Sequence, residues 1–379
     1  MRRSESNSLY RFLCGNVLWI VILLTGCTFE IRKVERIPVS LEDKKDISIF
    51  DVCSRIDLAP LATSDSVLLS MIYAKPYKGG FLIRQNNPQQ VFCFDSTGAL
   101  DFKISNLGRG DQEYAGLANV CVNVNDESLY LLETLDYLDQ YDLKGNFQRK
   151  IALDSINDIL NDVIPLNQDT LLVISGRKNL TYSFFSLKAQ RVVDRYYDSI
   201  PCAGSNSPVF SDGKDFFRYS WHDRMVYAIQ GTSFVPAFCW DFGKYNNAEE
   251  DFSDLGEKSM SEDELERYIM DKANVLIMNM KANADYLYVL LMDNTGKEPR
   301  LTQVWYNKNT QQYFVFEKFK EQVTWTYFDN LINHYFIGSV YAANKEETLN
   351  PDLLDEANKE IYHNVKSDDN PIMVKFRLK

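Results

Sequence analysis

Histidine is scarce in this chain. Only His222, His334 and His363 occur among 379 residues, so a metal centre built on several histidines is excluded, and a serine triad would have to draw on one of the three. Cysteine is little better supplied. The five that follow Cys27, namely Cys53, Cys93, Cys121, Cys202 and Cys239, are odd in number and have no short paired spacing. That argues against both a disulfide framework and a zinc site, although a single bridge among the five stays open. No Gly/Ser- or Pro-rich stretch divides the chain, which leaves one large domain. Net positive charge is absent too: the formal charge is −12, and a nucleic-acid partner is not expected. Gly108-Arg109-Gly110 lacks the lysine and helix of a phosphate loop.

What is present begins with a leader. Met1-Arg2-Arg3 and Arg11 precede a short apolar run from Val17 to Leu24, which ends in Leu24-Thr25-Gly26-Cys27. The run is too short to span a bilayer comfortably. The pattern reads as a lipoprotein signal peptide over residues 1–26, with the Cys27 thiol as the attachment point for diacylglycerol and residues 27–33 as a tether. Cleavage removes three arginines and one glutamate, leaving 38 basic and 52 acidic residues and a net charge of −14. Hydrophobic residues at 45% and aromatics at 13% suffice for a buried core in residues 34–379.

Within those residues the chain repeats itself. Phe94-Asp95-Ser96-Thr97-Gly98 with Lys103-Ile104, and Tyr141-Asp142-Leu143-Lys144-Gly145 with Lys150-Ile151, match at an offset of 47, the length of one propeller blade. Taking the aromatic before the turn as a marker adds Phe185, Tyr227, Tyr306 and Phe376. Each marker follows an apolar run that reads as its hairpin partner, such as Ser128–Leu132 or Thr170–Ile174. The fourth position after the marker is Gly98, Gly145, Ala189 and Gly231, then Thr310, as a turn favouring a small residue or positive φ would select until the pattern weakens. Marker spacings of 47, 44 and 42 widen to 79 and 70. The two gaps hold helical signals: a capping box at Ser261 to Glu264, and a start at Asn350-Pro351 continuing through Ile361. The last marker leaves no room for an outer strand, so the N-terminal strand Val34–Leu41 is expected to complete the sixth blade and close the ring. The predicted fold is all-β: a six-bladed β-propeller of four-stranded antiparallel blades with two short helical insertions.

The segments Val91–Gly98, Gly108–Tyr114, Phe217–Ser220 with Val226-Tyr227, Trp240–Gly243 and Asn370–Val374 resemble the uncharacterised six-bladed β-propeller lipoproteins of Bacteroidota, which are themselves distantly similar to NHL-repeat propellers. The resemblance covers the chain after the leader, with one departure: Asp111 stands where that family usually has proline. It implies the fold and the lipid anchor, and it carries over no catalytic residue. Thr28 after Cys27 is not the aspartate of inner-membrane retention, and Thr28–Ile31 is a poor version of the acidic surface-export signal of that phylum. The periplasmic face of the outer membrane is therefore the expected address.

Candidate binding-face residues fall in two loops. Arg109, Asp111 and Tyr114 lie in a glycine-rich inter-blade loop whose Arg-Gly-Asp tripeptide is too short a match to read as an integrin ligand. In Ser220–Arg224, Trp221 offers a stacking face, His222 a titratable ring and Arg224 a fork for carboxylate or phosphate. The commoner use of such a sequence is a solvated hairpin turn. The primary expectation is a binding or interaction scaffold without catalysis and without cofactor, holding a small molecule, glycan or protein. The rival is a calcium-dependent hydrolase resembling six-bladed lactonases, its ion held in the channel by residues such as Asp65, Glu133, Asp136, Asp241, Asp329 and Asn330.

Overall fold

The computed structural model describes residues 34–379 other than 71, 135, 177–178, 199–206, 249–251, 253–254, 256–259 and 322–329. The expected lipid attachment site, Cys27, its leader and its tether lie outside the described residues, as do Cys202 and Asp329. Two strands come first, β1 (Glu35–Pro38) and β2 (Cys53–Pro60), followed by strands in antiparallel groups. Blade 1 holds β3 (Ile72–Tyr77), β4 (Gly80–Asn86), β5 (Gln89–Phe94) and β6 (Leu100–Ile104). Blade 2 holds β7 (Leu117–Asn123), β8 (Ser128–Glu133), β9 (Tyr137–Asp142) and β10 (Phe147–Ala152). Blade 3 holds β11 (Leu160–Pro165), β12 (Thr170–Ser175), β13 (Thr181–Ser186) and β14 (Arg191–Tyr197). Blade 4 is built from β15 (Val209–Ser211), β16 (Phe216–Arg218), β17 (Met225–Gln230) and β18 (Ser233–Asp241). Blade 5 is built from β19 (Val275–Ala282), β20 (Tyr286–Asp293), β21 (Arg300–Asn307) and β22 (Tyr313–Phe316). Blade 6 takes β23 (Asn330–Ile332), β24 (Tyr335–Val340) and β25 (Ile372–Leu378) from the end of the chain and β2 from its start.

The markers all fall on the third strand of a blade, and the apolar runs before them form or fall on the second. Middle strands are covered on both faces by neighbouring blades, so β8 is buried along its whole length instead of alternating as a one-sided sheet would. The glycine of the echo has a double cause. Gly98 and Gly145 sit at φ of +93° and +81°, and each turn between a blade's third and fourth strands rests on the outer strand of the preceding blade. A Cβ on Gly98 would lie 2.0 Å from the Pro60 carbonyl oxygen, and one on Gly145 would lie 2.6 Å from the Phe102 ring. The aspartate that opens each turn is repeated for a similar reason: Asp95 Oδ1 accepts from the Thr97 and Ala99 amides, and Asp142 Oδ1 from those of Lys144 and Asn146. Where the glycine is replaced, the positive φ moves one residue on, to Gln190 and Gln311.

An N-terminal strand does close blade 6, but it is not the expected Val34–Leu41. The closing strand is β2, paired with β25 from Cys53 opposite Leu378 to Pro60 opposite Ile372. β1 instead adds a fifth strand to the outer edge of blade 4, next to β18. Its continuation carries the reason: Ile37, Val39 and Leu41 are buried with Trp240 and Phe242 of that blade. From there the chain crosses the outer edge of blade 5. Lys45 N donates to the Val315 carbonyl at 3.0 Å, Ile47 forms a parallel bridge with Phe319, and Lys44 Nζ pairs with Asp293 at 2.8 Å and Glu317 at 3.1 Å. A short helix, α1 (Ile49–Val52), then turns it into β2. One belt thus protects three sheet edges that would otherwise stand open.

In a four-stranded antiparallel blade, the turn between the second and third strands and the connection to the next blade leave from the same end, so both insertions rise from one face. α2 (Glu262–Lys272), between blades 4 and 5, has the expected box: Ser261 and Glu264 cap one another. The second insertion resolves into three pieces. α3 (Lys345–Thr348) comes first, Asn350 caps a single 3-10 turn at Pro351–Leu353, and a separate helix, α4 (Glu356–Asn364), starts at Asp355. α4 folds outward onto β2, where the Leu58 amide donates to Asn358 Oδ1 at 2.8 Å. It therefore covers the outer edge of blade 6 and does not rim the channel.

Candidate binding site at the channel mouth

Three successive inner strands carry polar side chains: Lys75 on β3, Asn119 on β7 and Asp162 on β11. They meet. Asn119 Nδ2 donates to Asp162 Oδ1 at 2.5 Å, and Lys75 Nζ stands 4.0 Å from the same oxygen. Lys75 and Asp162 belong to blades that are not neighbours, so contact between them, across the inner strand of blade 2, puts the group in the central channel. The Val163 amide also donates to Asp162 Oδ1, at 2.8 Å.

Above this group, towards the end of the channel where both insertions emerge, lie Tyr73 and Arg84. They face each other in the β3–β4 register, and Tyr73 shares its side of β3 with Lys75, two residues on. The Arg84 guanidinium lies 4.3 Å from the Tyr73 ring centroid, a stacked cation–π arrangement. Its Nη1 donates to Asn86 Oδ1 at 2.9 Å and to the Leu117 carbonyl at 3.4 Å, while its Nε is buried without a partner. Burial lowers the pKa of this guanidinium, and it makes no ion pair among the described residues. Tyr73 keeps 49% of its surface exposed. An arginine held off carboxylates, with an open aromatic ring beside it, is poised for an incoming anion.

The residues singled out from sequence sit elsewhere. Arg109 and Asp111 are exposed at the tip of their loop. Tyr114 is fully buried, its hydroxyl donating to the Gln89 carbonyl at 2.7 Å; it braces the loop and presents nothing outward. Trp221 is only 7% exposed and packs with Phe252, Leu255, Leu265 and Ile269, so it anchors the α2 insertion. His222 lies tilted against it with ring centroids 4.7 Å apart, its Nδ1 lies 2.9 Å from Ser220 Oγ, and burial pushes its imidazole below the usual value. Arg224 turns inward, donating to the Trp240 carbonyl at 3.1 Å. The apolar neighbours of Trp221 outweighed the polar residues beside it.

The described positions considered for calcium form no common site. Asp241 Oδ1 caps its own turn through Gly243 N and Asn246 Nδ2. Asn330 donates to the Ala74 carbonyl at 2.8 Å, joining the inner strands of blades 6 and 1. Asp65 is exposed, and the Asp136 carbonyl accepts from the Leu153 amide. Among the described residues no three His, Cys, Asp or Glu side chains form a metal-holding group. Glu133 belongs to a buried cluster under the Gly108–Tyr114 loop: Lys150 Nζ lies 2.6 Å from Glu133 and 3.5 Å from Asp139. Asp139 is 0% exposed, and burial, reinforced by Glu133 and partly offset by Lys150, pushes its carboxyl up to about 6. The described cysteines Cys53, Cys93, Cys121 and Cys239 are free, and burial raises the first three thiols to about 12.

Sequence reasoning missed Lys75, Asn119 and Asp162, and the repeat gave no signal for them: the marker offsets of 47 and 44 carry Lys75 to Val122 and Asn119 to Val163.

Six four-stranded blades, an N-terminal closing strand and a polar channel define this molecule as a six-bladed β-propeller. The chain belongs to the family described as a domain of unknown function, DUF4934, whose model matches residues 34–377. It is similar to the crystal structure of a Bacteroides fragilis protein described as exported, at 16% identity over 91% of this chain and 99% of that one, with a TM-score of 0.72. A member of the DUF4221 family from Bacteroides vulgatus aligns over 86% of this chain and 97% of that one, at 9% identity and a TM-score of 0.51. No curated protein sequence matches. Among the described residues, no helix is long and apolar enough to cross a membrane.

Proposed function

We propose that this protein is a lipid-anchored envelope scaffold that binds its ligand or partner at the channel mouth. The observation that carries this reading is Arg84: a desolvated guanidinium without a carboxylate in contact, stacked on the half-exposed Tyr73 above the Lys75–Asn119–Asp162 group. A rigid ring that displays such a group where its loops converge suits binding. The leader ending at Cys27 supports the anchor, and the export described for the Bacteroides fragilis relative supports the envelope address. The periplasmic face of the outer membrane is the assignment that Thr28 favours.

The test is capture from the native envelope. Protein solubilised in detergent should retain a partner or small molecule, seen by native mass spectrometry, that is lost from a Tyr73→Ala, Lys75→Ala double variant. Retention of the same species by the double variant, or recovery of wild type with nothing bound, counts against the reading. Cys27→Ser should abolish labelling by fatty acid and release the protein from the membrane fraction; unchanged fractionation would remove the anchor.

A further inference from the structure

We infer that the channel mouth takes a singly charged acidic saccharide, a sugar ring bearing one carboxylate, an inference that rests on the binding reading above and specifies its ligand class. Charge comes first. In a chain of net charge −12, this site gathers two cations, Lys75 and Arg84, against one carboxylate, Asp162. The local surplus is one positive charge. A carboxylate matches that surplus, whereas a phosphate dianion would be left overcharged beside Asp162.

Geometry gives the orientation. The Arg84 guanidinium is fixed through Nη1 by Asn86 Oδ1 and the Leu117 carbonyl and flattened on the Tyr73 ring, and its Nε is closed to solvent, so Nη2 is the nitrogen left to donate to a carboxylate oxygen. Lys75, whose side chain is 38% exposed, adds a second donor one strand pleat deeper. The ligand also needs a ring and hydroxyls. Tyr73 leaves about half its surface open to cover an apolar ring face. Asp162 uses only Oδ1 in its contacts with Asn119, Val163 and Lys75, leaving Oδ2 to accept a hydroxyl. Carboxylate, ring face and hydroxyl donor within one small group of side chains describe a uronic acid. A purely aliphatic carboxylate would leave Tyr73 and Asp162 unused.

Isothermal titration calorimetry on the full mature chain tests this, with the methyl glycosides of glucuronic and galacturonic acid as probes and the neutral glucoside and galactoside as controls. At least one uronide should bind wild type while its neutral counterpart does not. Affinity should fall about tenfold in Arg84→Gln, as expected for losing one hydrogen bond to a charged group. It should also fall in Tyr73→Ala, a change at a half-exposed position that leaves the fold intact and so guards against misreading an unfolded Arg84 variant. Absence of binding by both uronides, equal binding of the neutral sugars, uronide affinity unaffected by Tyr73→Ala, or tighter binding of glucose 6-phosphate each overturns the inference. Capture of a native partner that the Tyr73→Ala, Lys75→Ala variant loses would show that only the ligand class had failed.

Discussion

Replacing Asp139 with asparagine should make the protein more stable at neutral pH and leave it little changed in acid. Asp139 is fully buried beside Glu133, with Lys150 3.5 Å away and no hydrogen bond to either carboxylate oxygen. Its pKa rises from 3.8 to about 6 on folding, so the folded protein holds this proton more tightly than the unfolded chain does. Below the unfolded value the carboxyl is neutral in both states and costs nothing. As pH climbs from about 4 to about 6 the folded state must be ionised against burial, and the penalty grows. Above about 6 it is constant. At roughly 1.4 kcal/mol per pH unit, a shift of about two units sets the full penalty at about 3 kcal/mol. The carboxylates of Asp95, Asp142 and Asp241 are held low by turn hydrogen bonds and impose the opposite trend on the whole molecule, so the informative quantity is the difference between variant and wild type. Urea unfolding between about pH 4 and pH 8 should show Asp139→Asn gaining on wild type through the lower half of that range and then running parallel to it. A difference that does not change with pH would refute the assignment. Lys150→Met, which removes the one compensating cation, should carry the rising portion to higher pH.

Gly98→Ala forces a side chain into a left-handed turn and onto the Pro60 carbonyl; thermal unfolding should show a loss of about 2 kcal/mol or more, and a smaller loss for Gly213→Ala, where the positive φ alone opposes the methyl and the space around it is open. Asn358→Ala strips the acceptor from the Leu58 amide on the outer edge of blade 6. It should cost about 1–3 kcal/mol and speed deuterium exchange at that amide selectively, and exchange unchanged at Leu58 would contradict the role given to α4.

The repeat was legible because its markers are structural necessities. Phe94, Tyr141, Phe185 and Phe376 are buried between blades, and Gly98 and Gly145 are demanded by the turn and by the strand beneath it. The capping box at Ser261 was legible for the same reason, since it satisfies its helix locally. What escaped was long-range. Val34–Leu41 and Cys53–Pro60 both alternate as strands, and only the partners, Trp240 in one case and the β25 ladder in the other, decide which closes the ring. Trp221 and Arg224 read as a display of binding groups, yet the apolar insertion and the Trp240 carbonyl claim them. The channel group was hidden because Lys75, Asn119 and Asp162 each look like an ordinary polar residue until three inner strands bring them together.

The pairing of β2 with β25 has a consequence for assembly. Most contacts within a blade join residues a few tens of positions apart, so each blade can be organised as it is synthesised. The seam joins Cys53 to Leu378, and during synthesis Cys53–Pro60 waits as an unsatisfied edge until more than three hundred residues have followed it. Blade 6 is therefore a checkpoint on chain length: a product lacking Ile372–Leu378 would lose the strand that sits between β24 and β2, and with it the lock on the whole circle.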